Sequence, residues 1–350
     1  MKLDDSQSIQ QFDTSNMLAE IEGLPDQLRS AWDLGLRFPL PDWKGIKRVI
    51  IAGMGGSAIG ADLLIGYISP ICKLPVFIHR DYKLPAWAFG QETLLITSSH
   101  SGNTEESLDA FENGIQKGCR ILAVTTGGKL STRADETGVP CWKFDHKGQP
   151  RAAVGFSFGL LLAAFTRLGL IPDQAQDLSE AVKAMQEQQK ELLSSISANL
   201  NPAKRLAGQL VGRWVNVIGA GMLAPVARRW KGQINELAKC GAGFDTLPEA
   251  DHNSLAALVN PVETLSRVAT VFIKAASDHP RNQLRSRLTQ KIYMLEGMNT
   301  NDYTALGDSP LSQQWTTLHF GDYLSFYLAM AYQVDPSPVK AIMDLKAQLG

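Results

Sequence analysis

GMGGSAIG (residues 53–60) and SHSGNT (residues 99–104) are the two stretches whose reading decides the fold. Each follows a short run of apolar, β-prone residues, 48–52 and 93–96, and each leads into a helical pattern. Both therefore read as strand–loop–helix corners. Such corners aim free backbone N–H groups and short hydroxyls at one spot, which is the arrangement a phosphate group needs. Two of them inside one βαβ unit point to a phosphorylated small molecule.

Working outward, strand-like runs at 48–52, 76–79, 93–97, 120–124 and 139–144 alternate with helical runs at 58–67, 105–117 and 152–168. Strands separated by helices of this length predict a parallel sheet with both faces covered. A helical stretch over 16–34, interrupted near Gly23 and Pro25, precedes them, and a polar helix with Leu178, Val182, Met185, Leu192 and Leu193 roughly in period follows. A second alternation comes next: a strand over 214–218 ending in Gly219-Ala220-Gly221, a helix over 223–239, a strand over 268–275 and a helix over 282–297. A long apolar helix over 311–332 and a terminal one over 339–349 close the chain. VIIAGMGGSAIG (49–60) and VNVIGAGMLAP (215–225) are loosely parallel strand-to-glycine corners, as a diverged internal duplication would leave. The expected organisation is α/β: an N-terminal helical segment (1–45), a phosphate-binding lobe (46–172), a connecting helix (173–203) and a second lobe (204–350).

The composition excludes several function classes. Lys plus Arg (34) nearly balance Asp plus Glu (35), for a net charge of −1. A nucleic-acid binder would carry a basic excess. A hydrophobic content of 44% and a charged content of 20% suit two ordinary cores. No apolar run reaches membrane-spanning length, and the N-terminal MKLDDSQSIQQFD is too polar for a secretory signal. Cys72, Cys119, Cys141 and Cys240 are scattered without metal-ligand spacing, so they read as buried thiols in a reducing cytoplasm. No metal site is expected.

Taken alone, the first corner is open to three readings. Its glycines suit a tight turn without any ligand. They also suit a dinucleotide fingerprint, with Ala58 at the third position and Asp81 as ribose acid, hence an NAD-linked oxidoreductase. The third reading is a monophosphate site built on Gly55, Gly56 and Ser57. The second corner favours the last. Ser99, Ser101 and Thr104 place three hydroxyls on one turn, with Ser99 and Ser101 aimed the same way by strand alternation. Gly102 lets the backbone approach, and Thr104 caps the helix where its dipole favours an anion. Glu105 and Glu106 must then point away.

SHSGNTEES (99–107) resembles the phosphosugar-binding signature of sugar-isomerase (SIS) domains, usually written with a tyrosine where His100 stands. GMGGSAIGADLL (53–64), RRWKGQINELAK (228–239), LPEADHNSL (247–255) and DPSPVKAIMDLKAQL (335–349) follow in the order seen in the bifunctional phosphoglucose/phosphomannose isomerases. The resemblance covers nearly the whole chain. It implies two SIS-type αβα sandwich lobes and interconversion of glucose 6-phosphate, with mannose 6-phosphate as a second aldose, and fructose 6-phosphate. No cofactor is implied, because an enediolate route needs only a phosphate cradle, an acid–base group, a proton shuttle and positive charge.

The resemblance assigns the shuttle to Glu236, in Asn235-Glu236-Leu237-Ala238-Lys239, and helical geometry lays that side chain over the bare patch left by Gly232. A glutamate making weak surface pairs with Arg229, Lys231 and Lys239 is the plain alternative. His252 is implied as the ring-opening group, contributed to the neighbouring subunit of a homodimer. The family commonly carries an acid after His-Asn, where this chain has Ser254. Lys346 is implied to reach the sugar hydroxyls, and Arg151 to stabilise charge near C1–C2. The other histidines, His79, His100, His146, His279 and His319, read as structural, with His100 bordering the phosphate. A phosphosugar-binding regulator without catalysis is the reading from another class.

Overall fold

The alternation closes into two parallel sheets. The computed structural model describes residues 3–349. They form two units, Leu24–Val182 and, from both ends of the chain, 3–23 with 183–349. The chain enters through α1 (Ser6–Phe12) and α2 (Met17–Glu22), which belong with the second unit, before α3 (Leu24–Arg37) opens the first. The expected N-terminal segment 1–45 is thus shared between the units.

In the first unit, β1 (Arg48–Ala52), α4 (Gly55–Ile68), β2 (Val76–His79), β3 (Thr93–Ser99), α5 (Glu105–Gln116), β4 (Arg120–Thr125), α6 (Gly128–Thr137), β5 (Cys141–Lys143) and α7 (Val154–Arg167) follow in order. The strands lie β2-β1-β3-β4-β5, all parallel. β3 is buried at every residue and β1 at four of its five. This explains why both read as continuous apolar runs instead of alternating ones. One face is closed by α5 and α6, whose Phe111, Leu130 and Ala134 pack on Ile50, Leu95 and Ile121. α7 is apolar all round and packs against both α3 and α4. The chain leaves β1 for β2 and then comes back past β1 to start β3. The strand order therefore reverses between β1 and β3, and a crevice opens at their carboxyl ends. Both sequence corners sit there.

α8 (Ala175–Leu192) carries the chain across the division at 182/183, and α9 (Pro202–Leu210) follows, its N-terminus capped by the Asn201 side chain. Next come β6 (Trp214–Ala220), α10 (Ala224–Leu237), β7 (Ala242–Leu247), α11 (Val262–Leu265), β8 (Val268–Lys274), α12 (Pro280–Leu295), β9 (Asn299–Thr304), α13 (Pro310–Tyr332) and α14 (Lys340–Leu349). The second sheet runs β7-β6-β8-β9, again parallel, and repeats the order of the first four strands of the other. α13 is buried from Leu311 to Met330. It grips α10 through a buried bidentate pair, Arg229 Nη2 to Asp322 Oδ2 at 2.7 Å and Nε to Oδ1 at 3.2 Å, with Gln233 Nε2 donating to Asp322 Oδ1 at 2.9 Å. α2 joins this core where His319 Nε2 meets the Ile21 carbonyl at 2.8 Å, and full burial holds that imidazole down to about 4, hence neutral. No described helix is long and apolar enough to cross a membrane.

Candidate active site

α4 begins at Gly55 and α5 at Glu105, and neither start is closed by a capping side chain. Two sets of first-turn N–H groups are thereby left for an anion at the crevice. Thr104 occupies the cap position expected of it, yet its hydroxyl does not cap. Thr104 Oγ1 instead accepts from Ser99 Oγ at 2.9 Å, while Ser99 Oγ accepts from Gly102 N at 3.1 Å. Ser99 is 2% exposed, whereas Ser101 lies on the surface and accepts from Asn103 N at 3.2 Å. The two serines therefore do not point the same way: β3 ends at Ser99, and alternation lapses beyond the strand. Ser57, also buried, accepts from His100 N at 3.2 Å. Ser57, Ser101 and Thr104 each accept a hydrogen bond through the hydroxyl oxygen, which leaves the hydroxyl proton able to donate.

The surroundings explain the glycines. A Cβ on Gly102 (φ +66°) would stand 1.8 Å from the Gly127 carbonyl oxygen, so the second corner is packed directly on the turn after β4. That turn returns hydrogen bonds from Thr126 N to His100 O (3.1 Å) and from Lys129 N to Asn103 Oδ1 (3.1 Å). A Cβ on Gly56 would stand 2.4 Å from the Pro150 carbonyl oxygen. That contact seats the 3-10 turn Pro150–Ala152, which carries Arg151, 6% exposed, against the start of α4. Gln27 braces the turn by donating to Ala152 O at 3.0 Å. Glu105 is turned aside, accepting from Tyr82 OH at 3.1 Å. Asp81 accepts from Tyr82 N within its own turn at 2.8 Å. The first unit thus gathers Gly55, Gly56, Ser57, Ser99, Ser101, Thr104 and Arg151 at one place.

Glu236, His252 and Lys346 belong to the second unit, and Glu236 and His252 lie toward opposite edges of its sheet. Glu236 is half-buried in the last turn of α10, and at Gly232, one turn earlier, nothing lies within 4 Å of where a Cβ would stand. Lys239 Nζ donates to the Glu236 carbonyl at 2.6 Å. A crossover helix runs against its strands, so the end of α10 lies at the amino edge of the sheet. There Gly241 O accepts from Val215 N at 3.0 Å. His252 follows the carboxyl end of β7. The six residues of β7 separate the two edges by about 20 Å.

His252 is itself exposed, but its 3-10 turn Glu249–His252 is fastened on several sides. Asp251 accepts from Arg285 Nη1 at 2.8 Å and Thr289 Oγ1 at 2.6 Å on α12, and Asn253 Nδ2 donates to Glu249 at 2.9 Å. Ser254, standing where the resemblance leads one to expect an acid, donates its hydroxyl to Asp245 of β7. Lys346 lies on α14, an exposed helix that buries no residue.

The four cysteines are half-buried and free, less enclosed than expected. Burial pushes the Cys119, Cys141 and Cys240 thiols up, away from nucleophilic use. Among the described residues no group of three or more His, Cys, Asp and Glu is placed to hold a metal ion.

A bifunctional phosphoglucose/phosphomannose isomerase of Caldicellulosiruptor bescii is 37% identical over 95% of this chain and 99% of its own length. The chain belongs to the bifunctional phosphoglucose/phosphomannose isomerase family. The protein of that name from Aquifex aeolicus is 32% identical over 94% of this chain and 97% of its own. The family model described as bacterial phospho-glucose isomerase C-terminal SIS domain matches residues 199–349. A hypothetical protein of Thermus thermophilus shares the fold, with a TM-score of 0.75 at 15% identity over 98% of this chain and 93% of that one. In this member of the isomerase family, two supporting parts escaped the sequence reading. The turn at 125–128 announces itself as a Gly-Gly pair after a strand. The contact between His146 and His100, Nδ1 to Nε2 at 2.9 Å, leaves no local signal.

Proposed function

We propose that the chain interconverts glucose 6-phosphate, and mannose 6-phosphate, with fructose 6-phosphate by an enediolate mechanism. The observation that carries this reading is the pair of uncapped helix starts at the β1/β3 crevice, ringed by Ser57, Ser101 and Thr104. Helix N-termini supply partial positive charge and hydroxyls supply donors, so a phosphate dianion is bound without any fixed lysine. Gly55 and Gly56 let the backbone close on it, and Ser99 orients Thr104. Glu236 carries the proton between C2 and C1. Its departure from C2 forms the C1–C2 double bond and leaves negative charge on the C1 oxygen, which the Arg151 guanidinium stabilises. The proton on O2 then passes to O1 as Glu236 returns its proton to C1. His252 opens the ring by giving a proton to the ring oxygen and taking one from the C1 hydroxyl, a task suited to imidazole near neutrality. Lys346 steadies the sugar hydroxyls. No metal or organic cofactor takes part, and the reaction runs in the cytoplasm.

The working form is a homodimer. Glu236 and His252 stand at opposite edges of one sheet, farther apart than a hexose spans, so each reaction centre takes its histidine from a second copy. The segment after His252 and the adjoining part of α12 suit an interface: Val259, Val262 and Leu288 are 63%, 67% and 52% exposed. A coupled assay on both aldose phosphates tests the activity. Mixing refolded Glu236→Gln with His252→Asn tests the sharing. Two dead chains should regain about a quarter of the wild-type rate in a two-fold dimer, and no recovery would defeat the shared histidine.

A further inference from the structure

The two histidines set aside as structural are the unexplained feature of the phosphate corner. His100 lies inside the hydroxyl-bearing loop. Its backbone N–H donates to Ser57 Oγ at 3.2 Å, and its carbonyl accepts from Thr126 N at 3.1 Å and Thr126 Oγ1 at 2.7 Å. The main chain of His100 thus joins the first corner, the second corner and the turn after β4. Its ring reaches the other way, Nε2 to His146 Nδ1 at 2.9 Å, with the ring centroids 5.1 Å apart and nearly perpendicular. Phe144 and Phe156 stack at 4.8 Å and close around the pair, Phe144 on His100 at 6.0 Å and Phe156 on His146 at 5.9 Å. His146 heads the segment that runs through Gln149 to Pro150, whose carbonyl abuts Gly56, and to buried Arg151. The segment touches the crevice at that end, and the histidine pair ties down the other.

We propose that the His100–His146 hydrogen bond positions the phosphate loop against the Arg151 segment, so that both rings set the affinity for the phosphate ester. They are positioning residues: neither is placed on the reacting carbons. A neutral imidazole carries one N–H and one bare nitrogen, so a single shared proton joins the rings in either tautomer arrangement. Both histidines are half-buried, and the Phe144 and Phe156 rings flank the pair and limit how the two rings can turn. If the link is lost, the loop stays tied to Ser57 and the turn stays seated on Gly56, but their outer ends are no longer joined and each gains freedom about the start of α4. The hydroxyls and the helix starts then have to be brought together at the moment of binding, which weakens binding and leaves the proton transfer unchanged. The inference rests on the reading of this corner as the phosphate cradle.

The test compares His146→Phe, which keeps the aromatic packing and removes the hydrogen bond, with His146→Asn, whose side-chain amide restores a polar atom near Nδ1. The readouts are KM and kcat for fructose 6-phosphate and the inhibition constant of inorganic phosphate. The expected result for His146→Phe is a rise of about tenfold in both KM and the phosphate constant, with kcat within a factor of two and an unchanged thermal midpoint. His146→Asn should recover most of the loss. Ser57→Ala is measured beside them. If it raises KM while His146→Phe does not, the positioning role is overturned and the cradle stands. If neither changes KM, the cradle reading fails and takes this inference with it. A fall in kcat alone would also overturn the proposal.

Discussion

After β1 the chain turns through Gly55 at φ +50° into α4, and after β6 it turns through Gly221 at φ +49° into the 3-10 turn Gly221–Leu223 that opens α10. The sheets around these turns share the order β2-β1-β3-β4 and β7-β6-β8-β9, so both turns lie where the strand order reverses. The neighbouring corners then part company. The first unit presents Ser99, Ser101 and Thr104. The second presents Ala275, Ala276, Ser277 and Asp278, with Asp278 Oδ1 only 2.9 Å from where a Cβ on Gly221 would stand. Asp278 and Gln283 line a cavity of about 340 Å³ at that edge, and burial pushes the Asp278 carboxyl up to about 6. Both units keep a left-handed glycine at the switch point. In the first, both helix starts are uncapped and hydroxyls line the corner. In the second, the His279 side chain caps α12, Pro280 opens it, and a carboxylate stands over the glycine. The side chains on the second corner decide what a switch point accepts.

The proposed mechanism gives phosphate holding to residues of the first unit and proton transfer to a residue of the second, and kinetics can separate the two roles. Glu236→Gln should lower kcat by about 10²–10⁴ with KM changed by less than about threefold. Ser57→Ala combined with Thr104→Val should instead raise KM by about 10–100-fold and leave kcat nearly intact. A fall in kcat from the hydroxyl pair as large as that from the carboxylate would end the division of roles.

How much of this could be read in the sequence follows burial. β1 and β2 agree with their expected ranges residue for residue, and β3 and β4 run only one or two residues further. Central parallel strands are apolar without a break, so they stand out. β7 (AGFDTL) and β9 (NTNDYT) lie at the edges of their sheet, half-exposed, and offer neither an apolar run nor a clean alternation. α6 (GKLSTRADET) buries only Leu130, Ser131 and Ala134 and is equally quiet. At the site, residue types and spacing pointed to the two corners that the fold brings together. They could not show that Ser99 turns inward, because that depends on β3 ending at Ser99. The His100–His146 contact joins residues 46 apart through tertiary packing alone.

The glycines provide a second way to break the comparison. At Gly102 an alanine Cβ would meet backbone, the Gly127 carbonyl at 1.8 Å, and would hold φ +66° as well. Left-handed strain and overpacking together make Gly102→Ala destabilising by about 3–5 kcal/mol. At Gly221 the nearest obstacle is the Asp278 side chain, which can swing away, so Gly221→Ala should lose only about 1–2 kcal/mol, the left-handed strain alone. Urea midpoints of the two variants measure the difference. Equal losses would mean that the two corners are not built as differently as the packing indicates.

The smallest effect is the most direct probe of the filled corner. Asp278 is raised from 3.8 to about 6, chiefly by burial, with the Ala275 backbone hydrogen bond offsetting part of the rise. A carboxyl whose folded value lies above its unfolded one binds its proton more tightly in the native state. Its contribution is therefore neutral below about pH 4 and becomes a growing penalty up to about pH 6. Above that the penalty is constant, at most about 3 kcal/mol. Asp278→Asn removes the ionisation and keeps the shape. The variant should match wild type at pH 4, gain stability progressively to pH 6 and stay about 1–3 kcal/mol ahead at pH 7.5, read from urea midpoints across that range. The same substitution removes the negative charge from this corner, and added inorganic phosphate should then stabilise the variant more than the wild type. A variant less stable than wild type at pH 7.5 would show that the Asp278 carboxylate is held by favourable contacts, and the corner would then have to be read as a braced structural turn instead of an anion site with its own anion in place.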